Sequence, residues 1–196
     1  RATTQHHVPV PCEYDRATYS ILSRDRWNIF EDKPIRDISE LCYCLRRVVN
    51  TDPSRLEMLK PIYLRHKKVI IFYNFNYELY MLREWCQANS ITYAEYNGHN
   101  HDDVPDDKYW VYLCQYTSAK EAWNCIVTDC IVFFSQTYSY KALIQSAGRI
   151  DRMNTLFTHL YYYHFVADAP IERGIQKSLD NKENFNEGRW ISEELY

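Results

Sequence analysis

The amino-acid sequence predicts an α/β domain in which helices flank a mainly parallel sheet of about five or more strands. Segments rich in β-branched and aromatic residues are typical of strands, and there are five of them: 69–73, 91–96, 109–114, 130–134 and 160–166. Two of them, VIIFY and CIVFF, are almost continuously apolar, which suits strands buried on both faces. Helical patterns lie between the strands, and this alternation predicts parallel strands joined by right-handed crossovers.

Three helices are predicted around these strands. In 76–89 one face is apolar and consists of Leu79, Leu82, Trp85 and Cys86. A second helical pattern covers 139–153, after the fourth strand. After the fifth strand, Asp168 as an N-cap and the early Pro170 predict a helix that runs toward Phe185. Ligands of such sheets bind at the carboxyl ends of the strands, so we expect the functional residues there.

The segment before the first predicted strand has a helical character. Helices are predicted over 19–26, 36–49 and 53–65, the last with Asp52 as its N-cap and Pro53 at its first position. The sequence has no internal repeat or Gly/Ser linker that would divide the chain. We therefore expect one compact unit, with residues 1–66 as a helical entry segment packed on an α/β domain of residues 67–196.

Composition limits the classes of function. The chain has 196 residues, of which 46% are hydrophobic and 25% charged, and a formal net charge of −3. Any nucleic-acid contact must therefore be a local patch. No apolar run is long enough to cross a bilayer, so we expect no membrane contact and a cytoplasmic location. Seven scattered cysteines without a CxxC pair predict reduced, buried thiols.

A metal site is not predicted. The loop NGHNHDDVP places His99, His101, Asp102 and Asp103 close together. The turn signal Asn97-Gly98 at its start explains these residues as a polar loop. We therefore predict that no metal is bound.

The stretch QSAGRIDRMNT, 145–155, is the most informative part of the chain. Gly148 lies within the predicted helix, where glycine costs about 1 kcal/mol relative to alanine. A helical wheel over 143–152 puts three apolar residues on one face: Leu143, Ala147 and Ile150. It puts a polar set on the opposite face: Gln145, Gly148, Arg149 and Arg152. A bare backbone position beside two arginines suits a surface that a ligand approaches closely.

Two interpretations of these arginines stay open on spacing alone. Guanidinium groups donate paired hydrogen bonds to phosphate oxygens, so Arg149 and Arg152 can form a clamp for a transferring phosphoryl group. The same spacing also fits a solvated arginine face with Asp151 as a surface partner.

Three segments resemble motifs of superfamily 2 helicases. The motifs occur in the same order as in the second RecA-like domain of these proteins, on the same alternation of strands and helices. The pattern Gln145-x-x-Gly148-Arg149-x-x-Arg152 resembles the last motif, and VIIFYNFNYEL resembles the strand and loop that open that domain. YTSAKEAWN, 116–124, resembles the preceding motif, which in Swi/Snf-like translocases is approximately Ala-Gly-x-Glu-Gly-hydrophobic-Asn. Ala119 and Ala122 stand where that pattern has glycines. The run YSYKALIQSAGRIDRMNT is similar to the phage-encoded branch of these proteins.

The resemblance implies roles for individual residues. Arg149 and Arg152 would be arginine fingers that reach ATP, with Gln145 positioning them. Gly148, Glu121 and Asn124 would belong to the nucleotide side of the site. The nucleic-acid path would include Asn74, Thr117 and Ser118. For loop residues such as these, hydrogen bonding within a turn or a cap is an equally good explanation.

The sequence lacks the other half of such a site. It has no GxxxxGK[ST] loop to cradle phosphates and no Asp-Glu pair to hold Mg²⁺. The resemblance implies that ATP and Mg²⁺ bind mainly to an N-terminal RecA-like domain of the same polypeptide. We therefore expect a fragment that binds no cofactor by itself and hydrolyses no ATP alone. A phage origin would place it in the cytoplasm of a bacterial host.

Two classes of function follow from these observations. The first is the second motor domain of an ATP-dependent DNA helicase or translocase, with RNA not excluded as the nucleic acid. The alternative is a RecA-like module that binds nucleic acid or protein without an ATP cycle. A small-molecule α/β enzyme is disfavoured because the sequence shows neither a combination of nucleophile and base nor a glycine-rich fingerprint.

Overall fold

A six-stranded, fully parallel sheet forms the centre of the molecule in the computed structural model, which describes residues 2–120 and 124–195. The strand order is β1-β8-β7-β4-β6-β5. The strands of this sheet are β1 (Thr4–Cys12), β4 (Lys68–Tyr73), β5 (Tyr93–Tyr96), β6 (Trp110–Gln115), β7 (Cys130–Phe133) and β8 (His159–Ala167), and β2 (Trp27–Asn28) with β3 (Lys33–Pro34) forms a small antiparallel ribbon. All five predicted strands are present, and the predicted α/β class is confirmed.

Helices lie on both sides of the sheet. They are α1 (Arg16–Ser20), α2 (Ile38–Asn50), α3 (Ser54–His66), α4 (Asn76–Ala88), α5 (Tyr140–Ala147), α6 (Pro170–Asp180) and α7 (Glu187–Leu195). A π-helical turn, Ile21–Asp25, follows α1, and a 3-10 turn, Tyr116–Lys120, follows β6. The four apolar residues predicted for α4 are all buried. Within the described ranges, no helix combines the length and apolar character needed to cross a bilayer.

The strand β1 was not predicted, although it lies in the segment expected to be helical. It pairs with β8 along nine residues, from Thr4 opposite His159 to Cys12 opposite Ala167. Its Pro9 and Pro11 weakened the strand signal in the sequence. Proline is tolerated here because β1 is an edge strand and leaves one row of N–H groups without a ladder partner. The segment 1–66 therefore contributes to the sheet itself.

The two faces of the sheet are covered unequally. One face packs against apolar residues of six helices, α1, α2, α3, α4, α6 and α7, including Leu45 of α2, Leu82 of α4 and Ile175 of α6. The other face is covered by α5, by Tyr116 and by the segment around Ile150. We call this second side the α5 face. Its thinner cover leaves room for cavities, which are described below.

Histidine pairs join β1 to β8. The Nδ1 atom of His7 lies 2.9 Å from Nε2 of His164, so one ring N–H donates to the unprotonated nitrogen of the other. His6 and His159 form a second pair with the same N–N separation. Such a hydrogen bond requires at least one neutral ring in each pair. Burial, together with the neighbouring His7, lowers the pKa of His164 to about 4.

The pKa of His164 predicts a loss of stability in mild acid. An unfolded histidine, with a pKa near 6.5, takes up a proton at pH 5, whereas folded His164 stays neutral. The unfolded state therefore binds more protons, and we expect the free energy of unfolding to fall by about 2 kcal/mol between pH 7 and pH 5 from this group. Urea unfolding at both pH values would measure the change.

The variant His164→Gln is the control for this pH dependence, because glutamine hydrogen-bonds but does not titrate. We expect most of the pH-dependent loss to disappear in the variant. A variant with the full wild-type pH dependence would assign the effect to other groups.

Candidate functional site

A cleft of about 680 Å³ opens at the carboxyl ends of β4 and β6 and beside α5. It is lined by Asn74 after β4, Thr117 after β6 and Gln145 from α5. Three separate stretches of the sequence thus supply predicted site residues to one cleft. Lys141 lies on its wall and adds a positive charge. This position agrees with the expectation that ligands of parallel sheets bind at the carboxyl edge.

The other predicted residues of the second motif lie around the 3-10 turn. Thr117 is exposed, Ser118 is half-buried and Asn124 is exposed. Glu121 and Ala122 lie outside the described residues, and the side chain of Ala119 is not described. Among the residues that the structure describes, the predicted position of this motif at the cleft can therefore be followed only for its first part.

Asn74 has an evident structural role. Its Nδ2 donates to the Ser135 hydroxyl at 2.8 Å and to the Gln136 carbonyl at 2.9 Å, both after β7. Its own carbonyl accepts a hydrogen bond from the Gln115 side chain at 3.0 Å. Asn74 therefore ties the ends of three neighbouring strands together. Its predicted contact with nucleic acid stays a prediction.

The helix that precedes the two arginines is shorter than the predicted 139–153. Helix α5 begins after Ser139, whose hydroxyl accepts the Ala142 N–H at 3.1 Å, and ends at Ala147. Gly148 is the C-cap, and residues 148–150 form a turn. The prediction of a helix through 153 is wrong, because the wheel pattern cannot show where a helix stops. The glycine, which is common after helices, was the available signal.

The two arginines consequently occupy different environments. Arg149 is only 5% exposed, whereas Arg152 is exposed. Burial and the nearby charge of Arg152 lower the pKa of Arg149. The carbonyl of Arg149 accepts the N–H of Cys125 at 2.9 Å, which connects this turn to the end of the preceding motif. The prediction that both guanidinium groups lie on an exposed face is wrong for Arg149, which is buried. Arg152 is exposed, as predicted.

Among the described residues, none requires a glycine at 148. Its φ is −70°, and the described atoms that an added Cβ would meet are the carbonyls of Ile144 and Gln145, at 3.5 and 3.6 Å. These are ordinary contacts. We expect Gly148→Ala to change the free energy of unfolding by less than about 1 kcal/mol, as measured by urea unfolding.

Gly174 provides the contrast for this prediction. A Cβ there would lie 2.6 Å from the Trp190 ring, so Gly174→Ala should be clearly destabilising. If Gly148→Ala were destabilised as strongly as Gly174→Ala, the conformation described for residue 148 would be contradicted.

A buried polar network beneath the cleft was missed by the sequence analysis. Arg46 donates to the Gln136 carbonyl, and the Gln136 side chain donates to Glu172 Oε2 at 3.1 Å. Glu172 also lies 3.8 Å from Arg55, and both side chains are fully buried. A signal for Arg46 existed in the sequence, since it occupies the apolar face of α2 together with Cys42 and Val49.

Glu78 completes this network on the side of β4. Its carboxylate accepts hydrogen bonds from the Ser135 hydroxyl and from the Phe75 N–H. Burial raises the pKa of Glu78, while these hydrogen bonds oppose the shift. The network as a whole fixes the segment after β7 against which Asn74 is held.

The expected polar loop at 97–103 is present. Asn97 Oδ1 accepts the backbone N–H groups of His99 at 2.9 Å and Asn100 at 3.0 Å, which forms the predicted turn. Among the described residues, no group of three or more His, Cys, Asp or Glu side chains could hold a metal ion.

Comparison with known proteins assigns the fold. No family model and no curated protein matches the sequence. The α/β architecture, with its six-stranded parallel sheet between helices, is also found in solved structures of ATPase domains. Among solved structures, the C-terminal part of the Fun30 ATPase domain superposes with a TM-score of 0.75 at 10% identity, over 98% of this chain and 96% of that one.

A second similar structure is the Sulfolobus solfataricus SWI2/SNF2 ATPase core in complex with double-stranded DNA. Its TM-score is 0.64 at 12% identity, and 91% of this chain is covered. The matched region is 44% of that ATPase core, so the present chain corresponds to less than half of it. At this level of identity the comparison establishes a shared fold.

Proposed function

We propose that the chain is the second motor domain of an ATP-dependent DNA helicase or translocase of the Swi2/Snf2 kind. The observation that carries the proposal is the carboxyl-edge cleft, which brings together Asn74, Thr117 and Gln145 from three motif-like segments. The same fold in two ATPase domains, one of them in complex with double-stranded DNA, supports the proposal.

The nucleotide would lie between this domain and a preceding RecA-like domain. ATP with Mg²⁺ supplies the free energy of the cycle through hydrolysis of its terminal phosphate. Arg152 is exposed and can donate to phosphate oxygens across the domain boundary without rearrangement. Gln145, exposed at the cleft, would position the nucleotide-facing surface, and Arg149 would support the turn from its buried position.

Nucleic acid would run along the cleft edge. Asn74 and the exposed Thr117 line this cleft, Ser118 next to Thr117 is half-buried, and Lys141 provides a charge for a backbone phosphate. Because the net charge of the chain is −3, this local patch would act without a basic field over the whole domain. The phage-type branch and a bacterial host cytoplasm remain predictions.

The experiment joins this domain to its natural upstream sequence and measures ATP turnover with and without double-stranded DNA. We expect DNA-stimulated hydrolysis by the joined protein and none by the isolated 196-residue chain. Salt-dependent DNA binding without turnover in the joined protein would favour the alternative, a binding module without an ATP cycle. Absence of both activities would overturn the proposal.

A further inference from the structure

A row of four aromatic rings crosses the α5 face. The ring of Tyr116 is parallel to that of Phe133 within 6°, with centroids 6.3 Å apart. Phe133 lies 4.8 Å from His164, and His164 lies 5.2 Å from His7. The four residues follow or belong to β6, β7, β8 and β1; β7, β8 and β1 are neighbours in the sheet, and β4 lies between β6 and β7. Together they form a nearly continuous aromatic floor.

This floor is the base of a cavity of about 810 Å³. Leu143, Ile144 and Ala147 of α5 line it, and so does Leu179 of α6. The cavity shares only Tyr116 and Thr137 with the carboxyl-edge cleft. Its volume suits a small molecule, and an apolar enclosure with few polar groups is typical of small-molecule sites.

The described charged residues around the cavity are of one sign. Among the described residues, the lining includes Asp151 and Asp180 but no lysine or arginine. Asp151 is fixed by hydrogen bonds from Thr3 at 2.8 Å and Gln5 at 2.7 Å, and Asp180 by one from Gln176 at 2.7 Å. A phosphate or carboxylate ligand would therefore meet only like charge here.

We propose that this cavity binds a small planar aromatic molecule that is neutral or cationic. The ring would stack on the floor formed by Phe133 and His164, as aromatic rings do when their quadrupoles are offset. A positive charge would gain from the ring faces and from the two carboxylates. Nucleotides and other anions are excluded by the same charges. This site does not depend on an ATP cycle.

Three probes of equal size test the proposal: benzamidine, benzamide and benzoate. They share one planar shape and differ in charge. NMR titration of the 196-residue chain would follow the resonances of residues around the cavity. We expect benzamidine to bind at least 10-fold more tightly than benzoate, with benzamide between them. Shifts elsewhere only, no binding by any probe, or tightest binding by benzoate would each overturn the proposal.

Matched variants locate the site. Ile144 is 52% exposed on the cavity wall, so Ile144→Lys should fold and place a repelling ammonium beside the ligand. We expect benzamidine binding to weaken at least 10-fold. Tyr80→Lys makes the same change in charge at a 59% exposed position of α4 outside the lining, and should leave binding unchanged. Equal effects of the two variants would contradict a site in this cavity.

Discussion

Replacing Arg152 with alanine is expected to lower DNA-stimulated ATP turnover of the joined two-domain protein by a factor of at least about 100. The side chain of Arg152 is exposed, so in the proposed motor it would stabilise charge that develops on a transferring phosphoryl group of the neighbouring domain. For the same reason its removal should leave the free energy of unfolding within about 0.5 kcal/mol of the wild type. Steady-state turnover and urea unfolding would measure the two effects.

Arg149→Ala is the comparison that separates catalysis from folding. Arg149 is almost fully buried, so its truncation should lower both turnover and stability. The variant Arg152→Lys keeps the charge but loses the planar guanidinium, and it should recover only part of the turnover. Undiminished turnover in Arg152→Ala would remove this residue from the proposed catalytic set, even if Arg149→Ala were inactive.

Glu172→Ala is expected to lower the free energy of unfolding by about 3 kcal/mol, because it leaves the guanidinium of Arg55 buried without its counter-charge. Both side chains are 0% exposed. The estimate is at the lower end of the range for such pairs since the N–O distance of 3.8 Å exceeds that of a hydrogen bond. The carboxylate also accepts the Ala167 N–H at 3.3 Å, which would lose its partner.

An exposed ion pair provides the control for Glu172. Arg173 donates to Asp168 at 2.7 Å, but both side chains are more than half exposed, so Asp168→Ala should change stability by less than about 1 kcal/mol. Glu172→Gln retains an acceptor of similar size and separates the loss of charge from the loss of hydrogen bonds. If Glu172→Ala and Asp168→Ala had equal effects, the buried pair would not contribute as described.

The sheet could be predicted largely from the sequence because its central strands are buried on both faces. VIIFY and CIVFF became β4 and β7, the two strands whose apolar runs were most continuous. The edge strand β1 escaped prediction because it is partly exposed and contains prolines, so burial imposes no simple pattern on it. Tertiary pairing with β8 determines its structure.

The sequence predicted which residues line the cleft better than it predicted their geometry. Motif resemblance selected Asn74, Thr117 and Gln145, and all three line one cleft. The burial of Arg149 was not visible, since it depends on where α5 ends and on how the following turn packs. The network around Glu172 joins residues far apart in the sequence, and long-range side-chain pairs leave no periodic signal.

The position of β1 has a consequence for the order of folding. Thr4 pairs with His159, so the first strand of the chain waits for one of the last elements to be synthesised. Contacts this distant in sequence are slow to form because a long loop must close first. During synthesis the apolar residues of β7 and β4 can pair earlier, while the amino-terminal strand stays unpaired. The addition of β1 to β8 would then be a late step of assembly, because it brings residue 4 opposite residue 159.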